Sequence, residues 1–498
     1  MRLSTAAGRW VITATVLGSA MAAIDATVVG IALPSIGRQF HAELGTLQWV
    51  VTGYTLTLSA FLLLGGSLGD RLGRRKVFCV GVVWFSLASA ACALATDSTA
   101  LIVTRVIQGV GAALLTPGSL AIIEASFDPQ DRGRAIGAWS GLGGVATAAG
   151  PLLGGYLIAA ASWRWIFLIN LPIGVLVLLV SIRHVPESRD PTVTGAIDVP
   201  GAALAAIALG GLTYGLIEGP ARGWSDPSVL GLIGIGAVAT VGFVLVEHWT
   251  AAPMLPLDVF RIRQFTVTNG VTFIIYAALS GVLFLLPVAL QIVGHYSPLE
   301  SGAALLPLTL IMLVLSARSG RLAARIGPRL QMSVGPMVVA VGVALLSRVA
   351  TDHSYLSGVL PAVIVLGLGL ATTVAPLTMT ALGSVSEQHS GLASAVNNDV
   401  ARVGGLLAVA ILPALAGISG RSYLHPSQLA GEFHMAMLIG ATWCVAGGLA
   451  SAIGIRNPSR PIPSGPDGGH PAEVEGGGFH CALEASPLAA NSRPVPAP

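Results

Sequence analysis

Apolar runs of about twenty residues, recurring from Trp10 into the 450s and broken by short polar connections, constrain this chain more than any other feature. Crossing the hydrocarbon core of a bilayer takes about 20 residues of helix. Inside it every backbone polar group must find a partner within the protein. Charged residues make up 10% of the 498 positions and apolar residues 54%, whereas soluble domains carry about 25% charge. So few charges cannot clothe several soluble cores, and most of the chain must face lipid. The pattern predicts an all-α polytopic membrane protein. It excludes a soluble enzyme, a nucleic-acid binder and a protein anchored by one helix.

Fourteen spans are expected, at 10–33, 47–66, 77–96, 100–123, 135–160, 165–183, 199–217, 229–249, 267–291, 300–320, 333–350, 357–381, 395–418 and 434–456. Their connections are unequal in charge. The even-numbered ones hold Arg71, Arg74, Arg75, Lys76, Arg132, Arg134, Arg183, Arg189, Arg261, Arg263, Arg318, Arg321, Arg325 and Arg329, and the odd-numbered ones Arg38, Arg164, Arg222, Arg348 and Arg421. Cationic loops stay in the cytoplasm, so both termini are expected there and the number of spans is even. A repeat runs through the pattern. Gly66-Ser67-Leu68-Gly69-Asp70-Arg71-Leu72-Gly73-Arg74-Arg75 follows span 2, and Gly320-Arg321-Leu322-Ala323-Ala324-Arg325-Ile326-Gly327-Pro328-Arg329 follows span 10. Matching loops in two halves suggest two related bundles. The expected organisation is a six-helix bundle over 1–190, two inserted helices over 191–260, a second six-helix bundle over 261–456 and a disordered cytoplasmic tail over 457–498, rich in Pro and Gly.

Several chemistries lack their residues. The sole lysine, Lys76, follows Arg75 rather than a glycine-rich turn, so there is no phosphate-binding loop and no nucleotide is expected as a partner. Cys79, Cys92, Cys444 and Cys481 fit neither a disulfide framework nor a metal knuckle. The histidines form no HExxH pattern, and no metal site or cofactor is expected. Gly65-Gly66-Ser67-Leu68-Gly69 has nucleophile-elbow spacing and Gly141-Leu142-Gly143 resembles a dinucleotide turn. Neither sits in the strand–turn–helix context those motifs require. The first run is too long for a signal-peptide core and is read as a permanent span.

The few charges within spans form a short list. Asp25 lies about eight residues, or roughly 12 Å, from the outer end of span 1. A carboxylate at that depth costs about 2.5–3.5 kcal/mol on insertion scales, and such a group is suited to binding a proton or attracting a cation. The alternative is a structural ion pair. Arg105 in span 4 lies at a similar depth and also needs a partner, either Asp25 or a backbone carbonyl. In span 13, Asn397, Asn398, Asp399 and Arg402 stand near the cytoplasmic end. Asp399 and Arg402 share a face and are expected to pair; if the pair opens, Asp399 becomes a second proton or substrate site. Gly150, Pro151, Gly154 and Gly155 in span 5 favour a close, bent helix contact. In the loop after span 2, Gly66, Asp70, Arg71, Gly73, Arg74 and Arg75 form a candidate gate, with Asp70 expected to cap a helix N-terminus on another span.

These motifs, in this order on fourteen spans, resemble the major facilitator superfamily, specifically its fourteen-span drug:proton antiporters, over nearly the whole chain to about residue 456. Gly66 to Arg75 looks like the superfamily's signature loop. Leu101-x3-Arg105-x2-Gln108-Gly109-x-Gly111 looks like its proton-coupling motif, and Gly137 with Gly150-Pro151-x2-Gly154-Gly155 like its antiporter motif, with Ala146 where a glycine is usual. Asp25 to Pro34 looks like the span 1 motif, with Gly30 where Asn is usual. Trp163-Arg164-Trp165-Ile166-Phe167-x-Ile169-Asn170-x-Pro172 is also similar to the family pattern. The resemblance implies alternating access between two bundles and export driven by proton entry. The expected function is therefore proton-coupled export of amphipathic or lipophilic small molecules across the cytoplasmic membrane. The proton motive force is the energy source, and lipid, substrate and protons are the partners. An exporter of one endogenous product, a proton-coupled importer and a non-transporting receptor are the rivals. Asp25→Asn is expected to leave folding intact and to abolish coupled efflux.

Overall fold

A computed structural model describes residues 1–190, 197–250, 253–350, 354–385 and 390–457. The expected tail and Cys481 lie outside the described residues. Among the described residues, fourteen helices are long and apolar enough to cross a membrane: α1 Ala6–Phe40, α2 Leu44–Leu72, α3 Arg74–Ala93, α4 Ser98–Ser126, α5 Pro129–Ala160, α6 Trp165–His184, α7 Val199–Arg222, α8 Pro227–Trp249, α9 Arg263–Ile292, α10 Pro298–Ile326, α11 Pro328–Val349, α12 Tyr355–Gly383, α13 Gly391–Leu415 and α14 Pro426–Gly454. Each corresponds to one expected span. Most extend beyond the apolar run because polar residues close the ends. Asp97 accepts from Ala100 N at 2.9 Å at the start of α4, and Ser297 and Glu300 form a reciprocal capping box at the start of α10. Proline in the first turn opens α5, α8, α10, α11 and α14, where its missing N–H costs nothing.

The helices gather into two bundles. In the first, α1 packs on α5, α6 and α4, while α4 packs on α2 and α3. In the second, α11 packs on α12 and α14, and α9 on α13 and α14. The inserted helices α7 and α8 pack on each other, and α7 also lies against α2 of the first bundle and α13 of the second.

The two repeated loops have the same construction. Gly73 (φ +117°) and Gly327 (φ +87°) each join two helices in a backbone conformation that side chains resist. A polar residue arriving from the end of the same bundle then caps the next helix. Glu187 accepts from Arg75 N at 3.1 Å and Lys76 N at 3.2 Å, and Asn457 accepts from Arg329 N at 3.0 Å. A Cβ on either glycine would strike that capping group.

The bundles are pinned together at the end carrying the odd-numbered loops. Gln48 on α2 donates to Val409 O and Ala410 O of α13 at 2.7 and 3.0 Å, and Gln291 on α9 donates to Ile31 O of α1 at 2.9 Å. Tyr423 donates to Ala42 O at 2.9 Å; burial pushes its phenol up to about 12, so it stays a donor at ordinary pH. Gly155 of α5 abuts the Pro298 carbonyl of α10, and Gly302 of α10 abuts the Pro151 carbonyl in return. At the opposite, arginine-rich end, a Cβ on Gly133, Gly137, Gly141, Gly143 or Gly144 of α5 would meet no atom within 4 Å. The molecule is pinched at one end, and at the other this face of α5 stands free of neighbours.

Candidate functional site

The first bundle encloses an ion pair. Asp25 of α1 is fully buried and Arg105 of α4 is 1% exposed, and Arg105 Nη1 donates directly to Asp25 Oδ2. Arg105 Nε also donates to Val50 O of α2 at 3.0 Å, and its guanidinium lies 4.2 Å from the centre of the Tyr54 ring. Gln108, one turn after Arg105, closes the network. Its Oε1 accepts from Arg105 Nη1 at 2.7 Å, while its Nε2 lies 2.8 Å from both Asp25 Oδ1 and Ser89 Oγ of α3. Asn170 of α6 donates to the same Ser89 Oγ at 2.9 Å. Five helices thus meet around one negative and one positive charge. Each charge offsets the desolvation of the other, and the remaining donors satisfy both. Asn170 Oδ1 and Tyr54 Oη are buried without a partner, so the network retains unused hydrogen-bonding capacity beside the ion pair.

This arrangement has a definite chemical capability. While Asp25 is ionised it holds Arg105. A proton on Asp25 removes the negative charge, whereas Arg105 keeps its own under ordinary conditions and must lean on Val50 O, Gln108 and the Tyr54 ring. Gly150 and Gly154 of α5 lie against Thr27 and Val28 of α1, one turn from Asp25. Gly155 touches α10 of the other bundle. One short stretch of α5 therefore contacts both the helix carrying Asp25 and the closed end. Gly137, grouped with these glycines on the sequence pattern, stands in open space and joins no contact.

The second bundle differs from expectation. Asp399 and Arg402 form no ion pair among the described residues: Asp399 Oδ1 is buried without a hydrogen-bond partner, and Arg402 acts on it only electrostatically. Arg402 also lies within electrostatic reach of Tyr54, across the bundle boundary. Helical spacing places two residues on one face, but side-chain direction decides whether they touch. Asn398 is exposed and donates to Ser394 O of its own helix at 2.9 Å. Its neighbour Asn397 is the buried one, donating to Asn269 Oδ1 at 3.1 Å and Thr272 Oγ1 at 2.8 Å on α9.

The loop after α2 is tied within its own bundle. Asp70 pairs with Arg74 at 2.8 Å, and Arg74 N donates to Ser188 O at 2.9 Å. Arg75 donates to Val185 O at 3.1 Å, and Arg71 Nε to Ser67 Oγ at 3.3 Å. The capping assigned to Asp70 on sequence grounds belongs to Glu187, because the carboxylate arriving after α6 reaches the free N–H groups of α3. Gly66 packs loosely beside Pro117 of α4. Sequence reasoning singled out Asp25 and Arg105 but missed Tyr54, Ser89 and Glu187 as participants. Gln108 was legible as the residue three positions after Arg105.

Comparison with known proteins agrees with this architecture. Residues 15–409 match the Major Facilitator Superfamily. The tetracenomycin C resistance and export protein of Streptomyces glaucescens is 36% identical over 405 residues, covering 81% of this chain and 74% of the relative. The puromycin resistance protein pur8 of Streptomyces alboniger is 36% identical over 423 residues, covering 83% of each. Among solved structures, a bacterial homologue of the human lysosomal transporter Spinster, inward-facing and unoccupied, superimposes with TM-score 0.63 at 16% identity. It covers 92% of this chain and 100% of that one.

Proposed function

Because the chain belongs to the Major Facilitator Superfamily and is a multi-pass membrane transporter rather than an enzyme, we propose that it exports amphipathic or lipophilic small molecules in exchange for protons. The buried Asp25–Arg105–Gln108 network carries this reading. An ion pair sealed from water in one bundle, with no counterpart among the described residues of the other, is a place where a single proton changes the contacts among five helices. The named relatives are resistance and export proteins, which supports efflux as the direction. The arginine-rich end, where the glycine face of α5 meets no neighbour, gives substrate access from the cytoplasm, and the glutamine latches at the other end hold the exit shut. The energy source is the proton gradient across the cytoplasmic membrane: one proton crossing 100 mV supplies about 2.3 kcal/mol, enough for about a fifty-fold gradient of a neutral solute. Both termini lie in the cytoplasm.

The test is transport of a substrate panel by protein in liposomes under an imposed pH gradient. Substrate-dependent proton movement in wild type, absent in Asp25→Asn, is expected. Full coupled efflux by well-folded Asp25→Asn protein refutes the reading. A narrower version is favoured by the relatives' names, each of which specifies a single antibiotic: the substrate is then one endogenous product. Flux of one compound and no other across the panel distinguishes the two.

A further inference from the structure

Away from the Asp25 network, two carboxyl groups meet where the inserted helices begin and end. Asp198 caps α7, its Oδ1 accepting from Gly201 N at 2.8 Å. Glu247 stands in the last turn of α8, its Oε2 accepting from Leu255 N at 3.0 Å. Both are nine-tenths or more buried, at 8% and 2% exposure, and they lie within hydrogen-bonding reach of each other. Each retains one buried oxygen, Asp198 Oδ2 and Glu247 Oε1, that no donor reaches. Two ionised carboxylates in such contact repel. Their orphan acceptors add a further cost. One shared proton removes a charge and supplies the missing donor.

We propose that Asp198 and Glu247 form a proton-binding site that holds one proton between their carboxyls and clasps the start of α7 to the end of α8 on the arginine-rich side of the membrane. Among the described residues, no cation forms an ion pair with either carboxyl. The other charged side chains of α7 are Glu218 and Arg222, at its far end. His248 beside Glu247 is exposed, and the segment after α8 contributes the backbone N–H groups of Met254 and Leu255. Asp258 and Arg261 are more than four-fifths exposed and pair with each other at 3.5 Å. Residues 191–196 and 251–252 contain no titratable side chain. Leu255, held by Glu247, packs with Phe260 against Val259, Phe265 and Val396. The proton therefore also fixes how the inserted pair joins the second bundle. The site is separate from Asp25 and does not depend on the transport reading.

The linkage has a sign. The folded pair keeps a proton that the unfolded chain gives up above the ordinary carboxylate range of about pH 4. Its contribution is thus largest at low pH and is lost as pH rises through the pair's own titration, by up to tenfold in the folding equilibrium per pH unit. The experiment measures unfolding of the full-length protein in detergent against pH, for wild type, Glu247→Gln, Asp198→Asn and Asp25→Asn. The infrared band of protonated carboxyl groups is followed in parallel. The amide of Glu247→Gln donates where the proton did, so this variant is expected to lose the slope and the band component. Asp25→Asn is expected to keep the band component and the part of the slope that Glu247→Gln loses. An unchanged slope and band in both clasp variants overturns the proposal. So does a slope that answers to added sodium or calcium instead of pH, which would place a metal cation between the carboxyls. Should Glu247→Gln fail to fold, the band in Asp198→Asn decides.

Discussion

The two bundles share one loop pattern yet bury different chemistry at their centres. In the first, Asp25 and Arg105 neutralise each other inside a network that draws on α1, α2, α3, α4 and α6. In the second, Asn397, Asn269 and Thr272 make a neutral cluster between α9 and α13, and the nearby Asp399 is left without a hydrogen bond on one oxygen. A sealed ion pair offers a carboxylate that a proton neutralises and leaves no free charge for a solute to meet. A buried carboxyl with a free oxygen is suited to a cationic guest. The contrast suggests a division of labour, with proton binding in the first bundle and substrate charge recognition in the second.

The strongest way to break this comparison is at Asp25. Asp25→Asn is expected to abolish pH-driven efflux in liposomes. The ion pair alters the expectation that such a variant folds unharmed: a buried Arg105 without its anion costs about 3–5 kcal/mol, read as a lower unfolding midpoint. Pairing it with Arg105→Met is expected to restore stability without restoring transport. Recovery of both would show that the pair is only structural. Next in size, Asp399→Asn is expected to lower efflux of cationic substrates about tenfold, equivalent to roughly 1.4 kcal/mol, while sparing neutral ones. Because no partner is lost, its unfolding midpoint should hardly move. An equal loss for neutral substrates would end the division of labour.

A stability effect without a coupling effect is expected at Asn397→Ala, which strands Asn269 and Thr272 and costs about 1–3 kcal/mol, measured by unfolding in detergent. A change in the pH dependence of transport there would blur the distinction between the bundles. Smallest is Glu187→Ala, which removes the cap of α3 and costs about 1 kcal/mol. Asn457→Ala, its counterpart in the second repeat, should cost a similar amount if the two loops are truly equivalent.

How much was legible beforehand differs between particular residues. The fourteen helices follow from apolar length, and the glycines of the two loops stand in register in the sequence. Asp25 and Arg105 were visible because an ionisable residue within an apolar run has few excuses. Ser89 and Tyr54 were not, because a single polar residue in a helix carries no mark of which neighbour it will face. The expected pairing of Asp399 with Arg402 failed for the same reason: spacing reports a shared face and says nothing of side-chain direction. Glu187 was hidden because its target lies more than a hundred residues earlier in the chain.

By itself, the sequence determined where the chain crosses lipid and which charges must be sheltered. Those outcomes follow from transfer energies, which add residue by residue along a helix. Only the tertiary structure decided which sheltered charge meets which partner, which end of the molecule is pinched and where two carboxyls share one site. Those outcomes depend on distances of a few ångströms between helices remote in sequence, where packing, not composition, sets the result.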